Sequence, residues 1–202
     1  FHGEIIAETV LGMLLAIRRG LLPGLGLCET ENSWPEHCPG RCMVAGSSAI
    51  ILGYGHIGKA VGAKLETAGV RVIGISRANV ASLDTVLPQA DALVLALPAT
   101  QETNGLLDAR RIGLLPAHAA VINVGRGNAV DERALATALR KNRLRAAFLD
   151  VMQEEPYPAD GELRREPRCY LLPHASAFSP DYLERAFAEW LEIYRRDYAP
   201  RT

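Results

Sequence analysis

Apolar residues follow two rhythms along this chain. From residue 49 onwards they gather into short unbroken runs, and between the runs they recur at helical spacing. The runs at 49–52, 71–75, 92–97, 119–124, 146–150 and 169–172 predict strands. Each run is apolar at consecutive positions, so both faces of its strand must be covered, as in a parallel sheet. The stretches 57–68, 106–114, 131–142 and 180–196 predict helices between and after them. Asp131 is placed to cap the third, and Ser179-Pro180 suits the start of the fourth, with Ser as cap and Pro at the first helical position. The fold expected is α/β, a doubly wound parallel Rossmann sheet with its ligand at the carboxyl ends of the strands.

Ahead of the alternating region, residues 4–20 predict a helix on Ile6, Val10, Met13, Leu14 and Ile17, stopped at Gly20. Ile5, Ala7, Leu11 and Leu15 lie off that stripe, so this helix is expected to be buried on more than one side, by the chain or by a partner. Residues 21–46 are rich in Pro and Gly and read as a long loop. The chain thus divides into an N-terminal helix and linker (1–46), a dinucleotide-binding domain (47–180) and a C-terminal helix (181–202).

The sharpest local pattern is Gly53, Gly55 and Gly58, in G-x-G-x-x-G spacing, between the run 49–52 and a helix. In that context Gly53 permits a tight turn, Gly55 admits a pyrophosphate, and Gly58 lets helix pack on strand. The helix start offers free N–H groups and a partial positive charge to phosphates. An NAD site of this type carries an acid at the end of the second strand for the ribose hydroxyls. Here Ser76 and Arg77 stand there. An acid would repel a 2′-phosphate, whereas a guanidinium can bind it. NADP(H) is therefore favoured, and NAD(H) remains possible.

Composition narrows the class without naming a function. Of 202 residues, 49% are hydrophobic and 22% charged, with a net charge of -1, an ordinary globular balance. A near-neutral chain gives no electrostatic case for nucleic acid or an anionic membrane. No apolar run approaches the roughly 18 residues of a membrane span. Glu4 and Glu8 stand where a signal peptide would be basic, so a cytoplasmic protein is expected. Cys28, His37, Cys38 and Cys42 match no standard zinc spacing, and no metal site is expected; the cysteines Cys28, Cys38, Cys42 and Cys169 read as cytosolic thiols.

Candidate chemistry sits after the later strands. Arg126 lies between Gly125 and Gly127 behind a buried run, where it can bind a carboxylate through two parallel N–H bonds. Asp150 and Glu155 follow the fifth run. His174 follows Pro173 at the end of the sixth, placed as a general acid or base. All of these fall on the cofactor's side of one sheet, which favours a shared site over coincidence.

These motifs resemble the D-isomer-specific 2-hydroxyacid dehydrogenases, which include glyoxylate and hydroxypyruvate reductases and phosphoglycerate dehydrogenase. The resemblance runs over nearly the whole chain. It covers Ala7 and Glu8, Trp34, the glycine loop, residues 91–98 with Thr103, residues 122–127, residues 130–135, residues 149–151 with Glu155 and Pro156, and Pro173 with His174. It implies that Arg126 binds the carboxylate and carbonyl oxygen of a 2-oxo acid. It implies that His174 donates the proton as hydride arrives, and that Glu155 pairs with His174 and favours its protonated form. It also implies that Asp150 holds the nicotinamide carboxamide. Pro98 and the backbone of Val124 and Gly125 would line the nicotinamide side, and Leu97, Thr103, Arg126 and His174 are also expected to contact the cofactor. Gly53, Gly55, His56, Ile57 and Gly58 would cover the pyrophosphate, and Ser76 and Arg77 would meet the adenosine ribose.

The expected activity is thus reduction of a small 2-oxo acid to the D-2-hydroxy acid, in a homodimer paired through the first helix and the cofactor domain. The family's substrate domain would precede that helix and is expected to lie largely outside this chain, so its activity alone is an open point. Two other readings stay open: a dinucleotide-sensing regulatory module of the same fold, which would call for an acid in place of Ser76, and a fragment that binds cofactor without turnover.

Overall fold

The computed structural model describes residues 1–21 and 41–198. Six parallel strands form one sheet: β1 (Ser48–Leu52), β2 (Arg71–Ile75), β3 (Ala92–Leu95), β4 (Ala120–Asn123), β5 (Ala146–Leu149) and β6 (Cys169–Leu171), in the order β2-β1-β3-β4-β5-β6. The helices are α1 (His2–Arg19), α2 (His56–Thr67), α3 (Leu83–Val86), α4 (Ala109–Leu114), α5 (Glu132–Arg140) and α6 (Tyr182–Asp197). The order turns back at β1, whose neighbours are β2 on one side and β3 on the other. That reversal opens a crevice at the carboxyl ends of β1 and β3.

Strand side chains alternate between two cores, which is why the apolar runs are unbroken. Ile50, Leu52, Leu93, Leu95, Val121 and Leu149 pack on one face with Leu135 and Leu139 of α5. Ala49, Ile51, Val94 and Ile122 pack on the other with Val61 and Leu65 of α2, and with Ile6, Val10, Met13 and Leu14 of α1. Most of the apolar face of α1 is therefore covered by its own chain. Leu15 stays exposed, and Ile5 and Leu11 are half-buried.

Local chemistry sets the helix ends, and here two expectations need correction. Asp131 caps α5 as expected, accepting from the Ala134 N–H at 2.9 Å. The helix expected over 106–114 starts only at Ala109, because Asp108 caps it through the Arg111 N–H and Leu107 instead pairs with Val130 in a short parallel bridge. The last helix starts at Tyr182 behind Asp181, not at Pro180 behind Ser179. The Ser179 hydroxyl donates to the Asp181 carboxylate at 2.6 Å and so does not cap the helix itself. The short α3 had no helical period to announce it. Cys28, Trp34, His37 and Cys38 lie outside the described residues. Among the described residues no group of His, Cys, Asp and Glu side chains is arranged to hold a metal ion, and no helix is long and apolar enough to cross a membrane.

Candidate active site

The crevice begins with the turn after β1. Gly53 has φ +99°, and a Cβ there would lie 2.5 Å from the Ala96 carbonyl oxygen, so backbone strain and backbone contact both require glycine. A Cβ on Gly58 would collide with the Gly53 carbonyl, which sets how closely α2 approaches the turn. The turn is tied to the end of β2: Gly53 and Tyr54 N–H both donate to the Ile75 carbonyl, at 2.8 and 3.0 Å.

Helix α2 has no side-chain cap, and its first bond runs from the Lys59 N–H to the Gly55 carbonyl. The N–H groups of His56, Ile57 and Gly58 thus stand ahead of the helical ladder. A Cβ built on Gly55 would meet nothing within 4 Å. An open floor of glycine under a row of N–H groups fits a pyrophosphate.

Beside this turn, Ser76 and Arg77 are exposed at the end of β2. The Ser76 hydroxyl donates to Asn79 Oδ1 at 3.1 Å. Glu102 faces the same opening. Its carboxyl is held below the usual range by the Thr100 hydroxyl and its own N–H, with a further contribution from the charge of Arg77.

The next wall follows β3. Leu97 is buried and Pro98 exposed. The Thr103 hydroxyl donates to the Pro98 carbonyl at 2.7 Å and accepts from the Thr100 N–H at 3.0 Å, which closes the turn over 98–103. After β4, Val124 and Gly125 are buried and Arg126 is exposed. Arg126 Nη1 donates to the Gly125 carbonyl at 2.6 Å.

Asn123 shapes this turn. Its amide donates to the Arg126 carbonyl and accepts from the Gly125 N–H, both at 3.1 Å. No role for it follows from the sequence reading, although a polar residue closing an apolar strand was the available signal.

The charged centre lies between the ends of β5 and β6. His174 Nδ1 and Glu155 Oε2 are 2.8 Å apart. Burial pushes the Glu155 carboxyl up, but the His174 ring, the Met152 N–H and the charges of His174 and Arg126 outweigh it and hold the carboxyl below the usual range. A carboxylate only accepts, so Nδ1 carries the hydrogen of this bond and Nε2 is the nitrogen that Glu155 does not engage.

His174 has φ +53°, a left-handed conformation that a non-glycine residue keeps only when its surroundings fix it. Asp150 does the fixing. Its carbonyl accepts from the His174 N–H at 2.9 Å, and its buried carboxylate accepts from the Ala175 N–H at 2.7 Å and the Ser176 N–H at 3.1 Å. Both carboxylate oxygens are engaged by this loop, so Asp150 stands first as the support of the His174 turn. The Glu155 loop has its own anchor: the Gln153 N–H donates to Glu132 Oε1 at 2.7 Å.

The predicted residues therefore come together on one edge of the sheet: the glycine loop, Ser76 and Arg77, Leu97 with Pro98 and Thr103, the Arg126 turn, Asp150, Glu155 and His174. A surface cavity away from this edge is lined by other residues, Arg140, Glu162 and Arg168 among them, and measures about 800 Å³.

Known proteins share this fold. Residues 11–176 match the family model described as D-isomer specific 2-hydroxyacid dehydrogenase, NAD binding domain. The chain is 29% identical over 190 residues to a glycerate dehydrogenase of Methylorubrum extorquens, covering 89% of this chain and 60% of that protein. It is 44% identical over 97 residues to glyoxylate/hydroxypyruvate reductase B of Escherichia fergusonii, covering 48% of this chain and 30% of that one. Among solved structures, a D-isomer specific 2-hydroxyacid dehydrogenase from Xanthobacter autotrophicus in complex with NADPH and MES superposes with a TM-score of 0.83 at 29% identity, covering 98% of this chain and 66% of that one. The chain spans less than two thirds of the length of these curated relatives. On the matched family model and the shared fold, the chain belongs to the D-isomer specific 2-hydroxyacid dehydrogenases and carries their NAD-binding domain.

Proposed function

We propose that this chain is the cofactor-binding and proton-transferring part of an NADPH-dependent reductase of a small 2-oxo acid, of the glyoxylate or hydroxypyruvate type. The observation that carries the reading is the His174–Glu155 pair, with Arg126 close enough for its charge to act on Glu155, on the same sheet edge as the open glycine turn. When bound, the reduced nicotinamide supplies hydride. The chain supplies the rest. Arg126 anchors the substrate carboxylate and fixes which face of the carbonyl is presented. His174 holds a proton at Nε2 for the carbonyl oxygen, and Glu155 stabilises the charged ring from the Nδ1 side. Asp150 holds the loop that aims the ring.

The choice of NADPH rests on Ser76 and Arg77, where a carboxylate would reject a 2′-phosphate. The related Xanthobacter structure contains NADPH, which agrees with this choice. The substrate class rests on the relatives named for glycerate, glyoxylate and hydroxypyruvate. A homodimer through α1 completes the reading, supported by Leu15, exposed at 37%, beside half-buried Leu11. The cytoplasmic setting follows the composition.

The test is a paired assay. Isothermal titration measures NADPH and NADH binding, and loss of reduced-cofactor absorbance with glyoxylate or hydroxypyruvate measures turnover. Tighter NADPH binding with turnover supports the reading. NADPH binding with no turnover on any 2-oxo acid reduces the chain to a binding module, and tighter NADH binding overturns the cofactor choice.

A further inference from the structure

Asn79 takes no part in the reading above, yet it holds the segment on which the cofactor choice depends. Its Oδ1 accepts from the Ser76 N–H at 2.7 Å and from the Ser76 hydroxyl at 3.1 Å. Its Nδ2 donates to the Gly74 carbonyl at 3.0 Å. The amide therefore brackets Ile75, gripping the peptide groups on both sides of it. Ile75 in turn holds the glycine turn, because its carbonyl accepts from Gly53 and Tyr54. Asn79 is itself fixed from behind: its carbonyl accepts from Ser82 N–H and Oγ, at 3.0 and 2.7 Å. One exposed side chain thus ties the ribose end of the crevice to its pyrophosphate end.

We propose that Asn79 is a specificity-determining positioning residue, and that the neutrality of its amide keeps the site open to a 2′-phosphate. The proposal deepens the NADP(H) reading and rests on it. The chemistry is that of two acceptors with different charge. The bond from the Ser76 N–H needs only an oxygen, and a carboxylate would serve as well as an amide. A carboxylate there would place a full negative charge within hydrogen-bond distance of Ser76 Oγ. Its second oxygen, facing the Gly74 carbonyl, would turn outward towards the ribose, where two hydroxyls can donate to it but a phosphate cannot. The amide grips the same backbone without that charge. It also leaves the Ser76 hydroxyl free to turn, since Oδ1 keeps its bond from the Ser76 N–H whichever way the hydroxyl proton points. Arg77, exposed beside Ser76, already has one acid close enough to feel its charge, Glu102.

Asn79→Asp and Asn79→Ala separate the charge from the grip. Isothermal titration of the intact chain with NADPH and with NADH gives the affinity ratio for wild type and each variant, at low and at high salt. Asn79→Asp is expected to weaken NADPH binding by about ten- to a hundredfold and to leave NADH binding within about threefold of wild type. The loss should shrink as salt rises. Asn79→Ala removes the grip without adding charge and should weaken both cofactors by similar factors. An Asn79→Asp protein that melts like wild type and still binds NADPH with the wild-type ratio overturns the proposal. So does one that loses both cofactors equally, since Asn79 would then be structural only. The wild-type ratio tests the cofactor reading, and the change of that ratio in Asn79→Asp tests Asn79, so each can fail without the other.

Discussion

At the edge where the strands begin, Asp91 accepts from Arg18 at 2.9 Å and from the Ser48 N–H at 2.8 Å. At the edge where they end, Glu155 takes the same two kinds of partner, a basic side chain and a backbone N–H: His174 at 2.8 Å and Met152 at 2.9 Å. For both acids burial raises the carboxyl's value, and the bonds and charges around it more than reverse that. The difference lies in the cationic partner. Arg18 is nearly buried and an arginine keeps its charge at any usable pH, so that pair is permanent, and the exposed His118, 3.5 Å from the same carboxylate, only adds to it. His174 is about half exposed, sits in a left-handed backbone conformation, and carries a group that can give up its proton. The same device serves stability where the partner cannot change and chemistry where it can.

The comparison breaks most sharply at its reactive end. His174→Ala should cut turnover by about 10²–10⁴-fold in a catalytically competent form of the protein. NADPH affinity should stay within about threefold of wild type, because the ring is assigned to the substrate oxygen. Steady-state kinetics with glyoxylate, beside cofactor titration, would check this. Wild-type turnover would remove His174 from the mechanism even though the family assignment stands. At the other edge, Asp91→Ala should do the reverse. It strands the Arg18 guanidinium, leaving it the Met43 carbonyl among the described residues, and it orphans the Ser48 N–H. A loss of about 2–4 kcal/mol is expected. Thermal melting should fall by roughly 5–15 °C, with cofactor affinity unchanged once the protein is folded.

Much of this contrast was visible in the sequence, and unevenly so. The sheet was legible because a parallel strand buried on both faces cannot hide its apolar run, and the six runs of the sequence reading correspond to the six strands. His174, Glu155 and Arg126 were legible because each follows such a run. The supporting groups were not. Asn79 and Thr100 act through bonds to backbone atoms that only the folded turn brings near, and nothing in their spacing marks them, while Asn123 is marked only as a polar residue closing an apolar strand. The resemblance assigns Asp150 to the nicotinamide, and its second task, accepting from the Ala175 and Ser176 N–H groups, shows only in the fold. The start of α6 was misread for a related reason. Ser179 and Asp181 are both good caps, and the hydrogen bond between them left Asp181 at the cap position.

A third test lies along the reactive edge itself. Arg77→Ala should weaken NADPH by about 1.5–3 kcal/mol, the worth of a hydrogen bond to a charged group, and leave NADH nearly unchanged. Titration at two salt concentrations would distinguish a formed contact from a diffuse charge effect. The first persists at high salt in larger part, while the second fades. Equal losses for both cofactors would remove Arg77 from the ribose pocket.

The smallest effect expected is in the pH dependence of Glu155→Gln, and it asks whether the pair at the reactive edge adds to stability at all. A carboxylate accepts from the Met152 N–H with one oxygen and from His174 Nδ1 with the other. Glutamine has a single oxygen, so one of those donors must face its NH₂ group. The sign follows from the carboxyl's lowered value. The folded state favours the ionised form, so the stability Glu155 contributes is fully present above its ordinary value of 4.5. It is lost as pH falls through the lower value that it has in the folded chain. Glutamine does not titrate. The melting temperature of wild type should therefore exceed that of Glu155→Gln at neutral pH, hold that lead down to the ordinary carboxylate range, and lose it on further acidification. The side chain is about one-third exposed, so the lead should be worth no more than about 1 kcal/mol. Asp91→Asn, followed over the same series, should show the same sign with a larger lead, since its cationic partner is nearly buried. A Glu155→Gln gap that widened as the solution was acidified would mean that the ionised carboxylate strains this edge, and the likeness between the two acids would not hold.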